Sequence, residues 1–158
     1  MWVVYGNLQV AQYINYFEDN FLIHTISSYH TKITEQIKSA KKVYLNDNGF
    51  LNLGINRTIN NGAILENEVF VVLNKFCEEV TYIKENYEID FRCEDSLYQV
   101  SYKMEDEKTR QREFRAFNNF DSEKKYKHKL ITYDETSLIQ DIQIMKYEDF
   151  VFELADKI

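Results

Sequence analysis

The first third of the chain combines one helical and two extended patterns of apolar residues. Over residues 8–20 the apolar positions recur every three or four residues, which predicts an amphipathic helix. Residues 21–29 then favour a strand, and residues 42–45 favour a second, shorter strand. The sequence Asp-Asn-Gly at 47–49 is a turn signal that closes this second strand.

A stronger set of patterns begins at Asn61, which we expect to cap a helix over residues 61–78. The segments after this helix alternate between the two periodicities. We expect strands at 80–84, 87–93 and 97–103, a helix at 106–120, strands at 129–133 and 142–146, and a closing helix at 147–155. From residue 61 the predicted order therefore begins α-β-β-β-α-β.

One glutamate interrupts the apolar side of the helix predicted at 61–78. Because each helical residue advances about 100°, Glu66 shares a face with Val69, Phe70 and Leu73. An early position in a helix favours glutamate through the helix dipole, which is the simpler explanation. A carboxylate directed at the core nevertheless needs a partner, since burying it unpaired costs several kcal/mol. Glu66 is therefore a candidate site residue.

The strands predicted at 87–93 and 97–103 each alternate apolar and polar residues. We expect them to pair around a turn at 95–96, with three facing pairs on the polar side: Arg92 with Gln99, Asp90 with Ser101, and Glu88 with Lys103. A solvated face of an antiparallel sheet explains the same alternation. The presence of Glu66 favours instead a polar centre made of Glu66, Asp90, Gln99, Ser101 and Lys103.

Length and composition suit one compact α/β domain: the chain has 158 residues, of which 44% are hydrophobic. No apolar run approaches the roughly 18–20 residues that span a bilayer, and the amino terminus lacks the features of a secretory signal. We therefore expect a cytoplasmic protein. In that setting Cys77 and Cys93, which form no CxxC pair, are expected to be separate buried thiols.

The net charge of −7 counts against strong, nonspecific binding of DNA. Basic clusters at 38–42 and 124–129 are typical of solvated turns or strand edges, with a nucleic-acid groove as the alternative. The three histidines lack the spacing of zinc ligands. The chain also contains no GxxxxGK[ST] motif, so no ATP site of the Walker type is expected in it.

Several short motifs occur together in one order. They are Leu65-Glu66-Asn67 with Val69-Phe70, Glu88-Ile89-Asp90-Phe91, Gln99-Val100-Ser101, and Thr109 with Arg112-Glu113. In this order they resemble the C-terminal domain of a group of bacterial and archaeal AAA+ ATPases, a domain of unknown function similar to the PD-(D/E)XK nuclease superfamily. Residues 13–18 and 42–50 resemble the end of a winged-helix region and the junction after it. The resemblance covers nearly the whole chain from about residue 10.

The resemblance implies a fold and a division of the chain. The fold would be α/β with a restriction-endonuclease-like α-β-β-β-α-β core, a mixed sheet flanked by helices, after a partial winged-helix segment. Residues 1–50 would be the remnant of the winged-helix region and its junction. Residues 51–158 would be the nuclease-like domain.

The resemblance also implies roles for the polar centre. Glu66, Asp90 and Gln99 would hold Mg²⁺, which prefers oxygen ligands and would activate water for attack on a phosphodiester. The catalytic lysine expected two residues after Gln99 is Ser101 in this chain. Lys103 lies on the same strand face and would substitute by reaching back about 7 Å. Gln99 is also a neutral ligand and therefore a weaker one than glutamate. These two departures, Gln99 and Ser101, favour a degenerate or specialised module over an efficient nuclease.

Two functions from different classes follow as hypotheses. The first is a nucleic-acid-associated module of an AAA+ ATPase-type protein, with an active Mg²⁺-dependent DNA endonuclease as its enzymatic form. The second is a structural or protein-interaction module without catalysis, which predicts an exposed apolar patch over residues 10–29. Expected partners are DNA and an upstream ATPase module or partner protein, with a homo-oligomer as a further alternative and no membrane.

Overall fold

The computed structural model describes residues 2–4, 8–53, 60–104, 107–139 and 141–156. The helices are α1 (Leu8–Asp19), α2 (Ile33–Lys38), α3 (Asn61–Phe76), α4 (Glu107–Phe120) and α5 (Tyr147–Ala155), with a short 3-10 helix at Asn48–Leu53. The strands are β1 (Trp2–Val4), β2 (Ile23–Ser27), β3 (Lys41–Leu45), β4 (Thr81–Lys84), β5 (Glu88–Cys93), β6 (Ser96–Ser101), β7 (Lys127–Thr132), β8 (Ser137–Ile139) and β9 (Ile142–Lys146). No helix in these ranges is both long and apolar enough to cross a bilayer.

The strands form two sheets. The first has the antiparallel order β1-β3-β2, and the second has the order β4-β5-β6-β7-β9-β8. In the second sheet β6, β7 and β9 are parallel neighbours, while the other neighbouring pairs are antiparallel. The two sheets meet at an isolated bridge between Ser28 and Tyr82, where the Tyr29 amide donates to the Tyr82 carbonyl at 2.7 Å. These contacts join the first sheet to β4, the edge strand of the second sheet.

Helices cover both faces of the six-stranded sheet. One cluster of buried apolar side chains contains Phe70 of α3 and Phe150 of α5, together with Phe91 of β5. A second cluster contains Phe117 of α4, together with Leu130 of β7. The predicted α/β class, with a mixed sheet flanked by helices, is confirmed. The order α-β-β-β-α-β is also confirmed, in α3 to β7.

One prediction at the end of an element is wrong, and several short elements were not predicted. Helix α3 is capped by Asn60 rather than Asn61, because the Asn60 side chain accepts the Ala63 amide at 3.1 Å. Four short elements, β1, α2, β8 and the 3-10 helix at Asn48–Leu53, were not predicted. They have three to six residues each, which is too short for a clear periodicity.

The β5–β6 hairpin has a different register from the expected one. Its loop is residues 94–95, and Glu94 adopts the left-handed region with φ of 50°. The observed pairs are Phe91 with Tyr98, Arg92 with Leu97, and Cys93 with Ser96. The expected turn at 95–96 and the facing pairs derived from it are therefore wrong. The polar residues still share a face, because the two registers differ by two residues and not by one.

Cys77 and Cys93 form a disulfide, so the prediction of two separate buried thiols is wrong. Cys77 caps the end of α3 and Cys93 ends β5, and the two Cα atoms lie 6.1 Å apart. The bond therefore joins the helix to the hairpin.

Candidate functional site

A buried lysine lies among three carboxylates where the two sheets and α3 meet. The Lys42 side chain is 2% exposed, and its Nζ lies 2.7 Å from Glu88 Oε1, 3.6 Å from Asp90 Oδ1 and 3.8 Å from Glu66 Oε1. The three carboxylates are 18–28% exposed. We call Lys42, Glu66, Glu88 and Asp90 the ion centre.

Strand alternation in β3 explains how Lys42 reaches this position. Lys42 and Tyr44 are both buried and lie two residues apart, so they project to the same side of the strand. The Tyr44 hydroxyl donates to Glu66 Oε1 at 2.8 Å, and its ring stacks on Phe70 with centroids 4.4 Å apart. β3 therefore supplies the Lys42 ammonium, and its Tyr44 also binds Glu66, one of the carboxylates that contact this ammonium.

Asn67 fastens α3 to the end of β3. Its side-chain oxygen accepts the Leu45 amide at 2.7 Å, and its side-chain nitrogen donates to the Leu45 carbonyl at 2.9 Å. Both polar backbone groups of one strand residue are thus satisfied by one buried amide. This contact fixes the neighbouring Glu66 opposite Tyr44.

Side chains replace backbone pairing where β5 and β6 reach the ion centre. Gln99 Oε1 accepts the Asp90 amide at 3.1 Å, and Gln99 Nε2 donates to the Glu88 carbonyl at 2.7 Å. The Val100 amide donates to Asp90 Oδ2 at 2.9 Å. Gln99 is buried and both of its polar atoms have backbone partners. Its role here is to bridge two diverging strands.

The charges of the ion centre shift one another's protonation. Burial raises the pKa of Asp90, the charge of Glu66 raises it further and Lys42 opposes both, with a resulting value of about 7. Burial alone would lower the pKa of Lys42, but Asp90, Glu66 and Glu88 raise it overall. Burial alone would raise the pKa of Glu88, but Lys42 and Lys84 lower it overall. At neutral pH the lysine is therefore charged and Asp90 is near its titration point.

A cleft of about 370 Å³ opens beside the ion centre. Its walls include Glu66, Asp90 and Gln99, with Arg112 and Glu113 from α4. Glu113 is 6% exposed, and Arg112 Nε donates to its Oε1 at 3.0 Å. The cleft is acidic, and its one arginine is bonded to one of its own carboxylates.

The structure brings together only part of the predicted polar centre. Glu66 and Asp90 contact the same ammonium, and Gln99 lies beside them in the hairpin. The Ser101 hydroxyl donates to the Lys103 carbonyl at 3.0 Å, and Lys103 is exposed beyond the end of β6.

Lys42 was assigned to a predicted strand but was not among the predicted site residues. The available signal was its alternation with the apolar Tyr44, which places both side chains on one face. A lysine on the buried face of a strand requires carboxylate partners. The sequence was therefore sufficient to predict that the Lys42 side chain points inward. It was not sufficient to predict which carboxylates contact it.

The donor atoms at the centre do not fit a bound Mg²⁺ in this arrangement. Mg²⁺ requires near-octahedral oxygen ligands at about 2.0–2.1 Å. The ammonium of Lys42 lies at the point on which Glu66 and Asp90 converge, and Gln99 Oε1 is bonded to an amide.

Comparison with known proteins gives two matches. Residues 6–58 match a family model described as Domain of unknown function (DUF8612). An uncharacterised protein of Methanocaldococcus jannaschii is 34% identical over 137 residues, which cover 80% of this chain and 30% of that protein. The chain therefore spans less than a third of that relative's length. No solved structure matches the chain significantly. Neither description mentions an ATPase or a nuclease, so that resemblance stays a prediction.

Proposed function

We propose that this chain is a non-catalytic interaction module with a restriction-endonuclease-like core, within the AAA+ ATPase-type architecture that its motifs resemble. The observation that carries the proposal is the position of Lys42, whose ammonium lies within 4.0 Å of all three carboxylates of the ion centre. The Lys42 ammonium neutralises the three carboxylates, as a bound metal ion does in a nuclease. The centre then holds the two sheets together.

The chemistry of phosphodiester cleavage supports this assignment. Cleavage needs a group that activates water and a cation that contacts the scissile phosphate. Lys42 is 2% exposed, and its charge is neutralised by the neighbouring carboxylates. Its ammonium is therefore not accessible to a phosphate from solvent. Gln99 uses both polar atoms on the hairpin backbone. The groups that phosphodiester cleavage would require form contacts within the protein that stabilise the fold.

The basic cluster at 124–129 is accompanied by carboxylates and so gives little support to DNA binding. Four of its lysines lie within ion-pair distance of a carboxylate: Lys124 of Asp141, Lys125 of Glu123, Lys127 of Asp95 and Lys129 of Glu153. DNA binding depends on a local surplus of positive charge that can neutralise phosphates, and these carboxylates balance the four lysines. With a net charge of −7, we expect only weak, salt-sensitive binding to DNA.

Metal titration tests the proposal. We expect the melting temperature of the wild-type chain to be unchanged by millimolar MgCl₂ or MnCl₂ relative to KCl of equal ionic strength. We also expect no cleavage of single- or double-stranded DNA. Asp90→Asn is the matched control, because it removes one charge and keeps an oxygen to accept the Val100 amide. A metal-dependent rise in melting temperature or DNA cleavage that Asp90→Asn abolishes would overturn the proposal.

A further inference from the structure

The Cys77–Cys93 disulfide lies in the wall of a cavity of about 470 Å³. Both cysteines contribute to the lining, together with Tyr98 of β6 and the hairpin loop at residues 94–95. We call this space the disulfide cavity. Its volume falls in the range of about 300–1,000 Å³ that is typical of pockets for small molecules. The cavity therefore offers a small molecule a route to the sulfur–sulfur bond of the folded chain.

The two cysteines differ in their exposure. Cys93 is 5% exposed and belongs to the buried apolar cluster that contains Phe70 and Phe150. Cys77 packs against this cluster from the carboxyl end of α3 and is only partly buried. Thiol–disulfide exchange requires a thiolate to reach one of the two sulfurs. Attack from the cavity is therefore expected at Cys77, with Cys93 as the leaving group.

The disulfide joins the two elements that bring carboxylates to the ion centre. Helix α3 carries Glu66, and β5 carries Glu88 and Asp90. Because the chain has only two cysteines, no second disulfide can replace this link. Opening it would leave α3 and β5 held together by packing and ion pairs alone.

Two exposed residues of opposite charge line the disulfide cavity. Lys75 lies in the last turn of α3, and Glu94 lies in the hairpin loop. A single charge acts over several ångströms on a charged molecule that enters such a space. The rate at which a charged thiol reaches the disulfide should therefore depend on both residues, with opposite signs.

We propose that the disulfide cavity is a site of thiol exchange, at which a low-molecular-weight thiol modifies Cys77 of the folded chain. The thiolate of this molecule attacks Cys77 Sγ, a mixed disulfide forms as the Cys77–Cys93 bond breaks, and Cys93 leaves as a thiolate that takes a proton from water. A second molecule of the thiol attacks the sulfur of the first and releases Cys77. Two thiols are thereby oxidised to one disulfide, and the protein disulfide is reduced to two thiols. The inference is independent of the proposed interaction role.

Reduction of the full chain by 2-mercaptoethanol without denaturant tests whether exchange occurs in the folded state. Samples would be quenched with iodoacetamide and their products located by peptide mass spectrometry. We expect a rate proportional to thiol concentration from about 1 to about 100 mM, and a first product with 2-mercaptoethanol on Cys77 and the alkyl group on Cys93. A rate that levels off at the rate of global unfolding would overturn the proposal, as would a mixed disulfide on Cys93.

Charge variants test whether the thiol enters through the disulfide cavity. The measured quantity is the rate with anionic 2-mercaptoethanesulfonate divided by the rate with cationic 2-mercaptoethylamine. This ratio cancels any effect of a variant on stability, because both thiols meet the same protein. Lys75→Gln should lower the ratio by about twofold and Glu94→Gln should raise it by about twofold, and both effects should disappear in about 1 M KCl.

Asp134→Asn is the matched control for the charge variants. Asp134 is exposed just past the end of β7, whereas the cavity-lining Ser96 pairs with the first residue of that strand. The control should therefore keep the wild-type ratio. Ratios that are equal in all three variants, or that change in the same direction for Lys75→Gln and Glu94→Gln, would show that the thiol does not enter here and would overturn the proposal.

Discussion

Replacing Lys42 with methionine removes the cation of the ion centre and keeps a side chain of similar length. Glu66 and Asp90 would then lose their neutralising charge, and Glu88 would keep only its contact with the exposed Lys84. Removing one partner of a buried ion pair typically costs about 3–5 kcal/mol. Because these carboxylates keep some contact with water, we expect Lys42→Met to lower the free energy of unfolding by about 3 kcal/mol at pH 8.

Lys84→Met is the matched control for this prediction. Lys84 bonds to the same Glu88, but its side chain is 56% exposed. Exposed pairs contribute about 0–1 kcal/mol, so we expect the control to lose less than about 1 kcal/mol. Both variants would be compared with wild type by urea denaturation monitored by circular dichroism.

The pH dependence of the Lys42→Met effect provides a second check. In the wild type the pKa of Asp90 is about 7, and Lys42 is one of the groups that hold it down, so Lys42→Met should raise it further. At pH 5.5 Asp90 is largely protonated in both proteins, whereas at pH 8 only the wild type pairs a charged Asp90 with a lysine, so the loss of stability should be smaller at pH 5.5. Equal losses for Lys42→Met and Lys84→Met at pH 8 would refute the role assigned to the ion centre.

Three further predictions concern neighbouring contacts. The Cys77–Cys93 disulfide joins residues that are 16 apart, and reducing it should lower the free energy of unfolding by about 3 kcal/mol and the melting temperature by roughly 6–12 °C. The Cys77→Ser/Cys93→Ser variant should match reduced wild type and should not respond to reductant. The raised pKa of Asp90 means that the folded chain binds a proton more tightly than the unfolded chain, so this group makes stability fall as pH rises from about 4 to about 7. Asp90→Asn should flatten that part of the stability profile, and an unchanged slope would contradict the assignment. Asn67→Ala leaves both Leu45 backbone groups unsatisfied and should cost about 2–4 kcal/mol by denaturation, against a near-neutral Asn20→Ala at an exposed site.

Local periodicity was sufficient to predict most elements, but it could not set the register of the β5–β6 hairpin. Turns at 94–95 and at 95–96 both leave Phe91 and Tyr98 on the same face, because the alternation has a period of two. The left-handed conformation of Glu94 decides between them, and nothing in a glutamate signals it in advance. The short strand β8 carries too few residues for any pattern to be distinguished from a loop.

The candidate site was predictable only as far as its residues lie within the helix and hairpin. Spacing placed Glu66 on the apolar face of its helix and Asp90 on the polar face of its strand, and the structure brings both to one ammonium. Lys42 comes from a strand of the other sheet, 24 residues before Glu66, and its approach depends on how the two sheets meet. Contacts of this kind have no local signature in a single sequence. The same holds for the disulfide between α3 and β5.

The bridge made by Gln99 also limits how this chain can change through evolution. Glutamate at position 99 would supply a carboxylate for a metal, but it has no hydrogen to donate to the Glu88 carbonyl, 2.7 Å from Gln99 Nε2. Two acceptor oxygens would face each other inside the hairpin. A single substitution toward a metal ligand would therefore weaken the strand pairing before any catalytic benefit appeared. The hairpin backbone, more than the cleft itself, therefore requires an amide side chain at position 99.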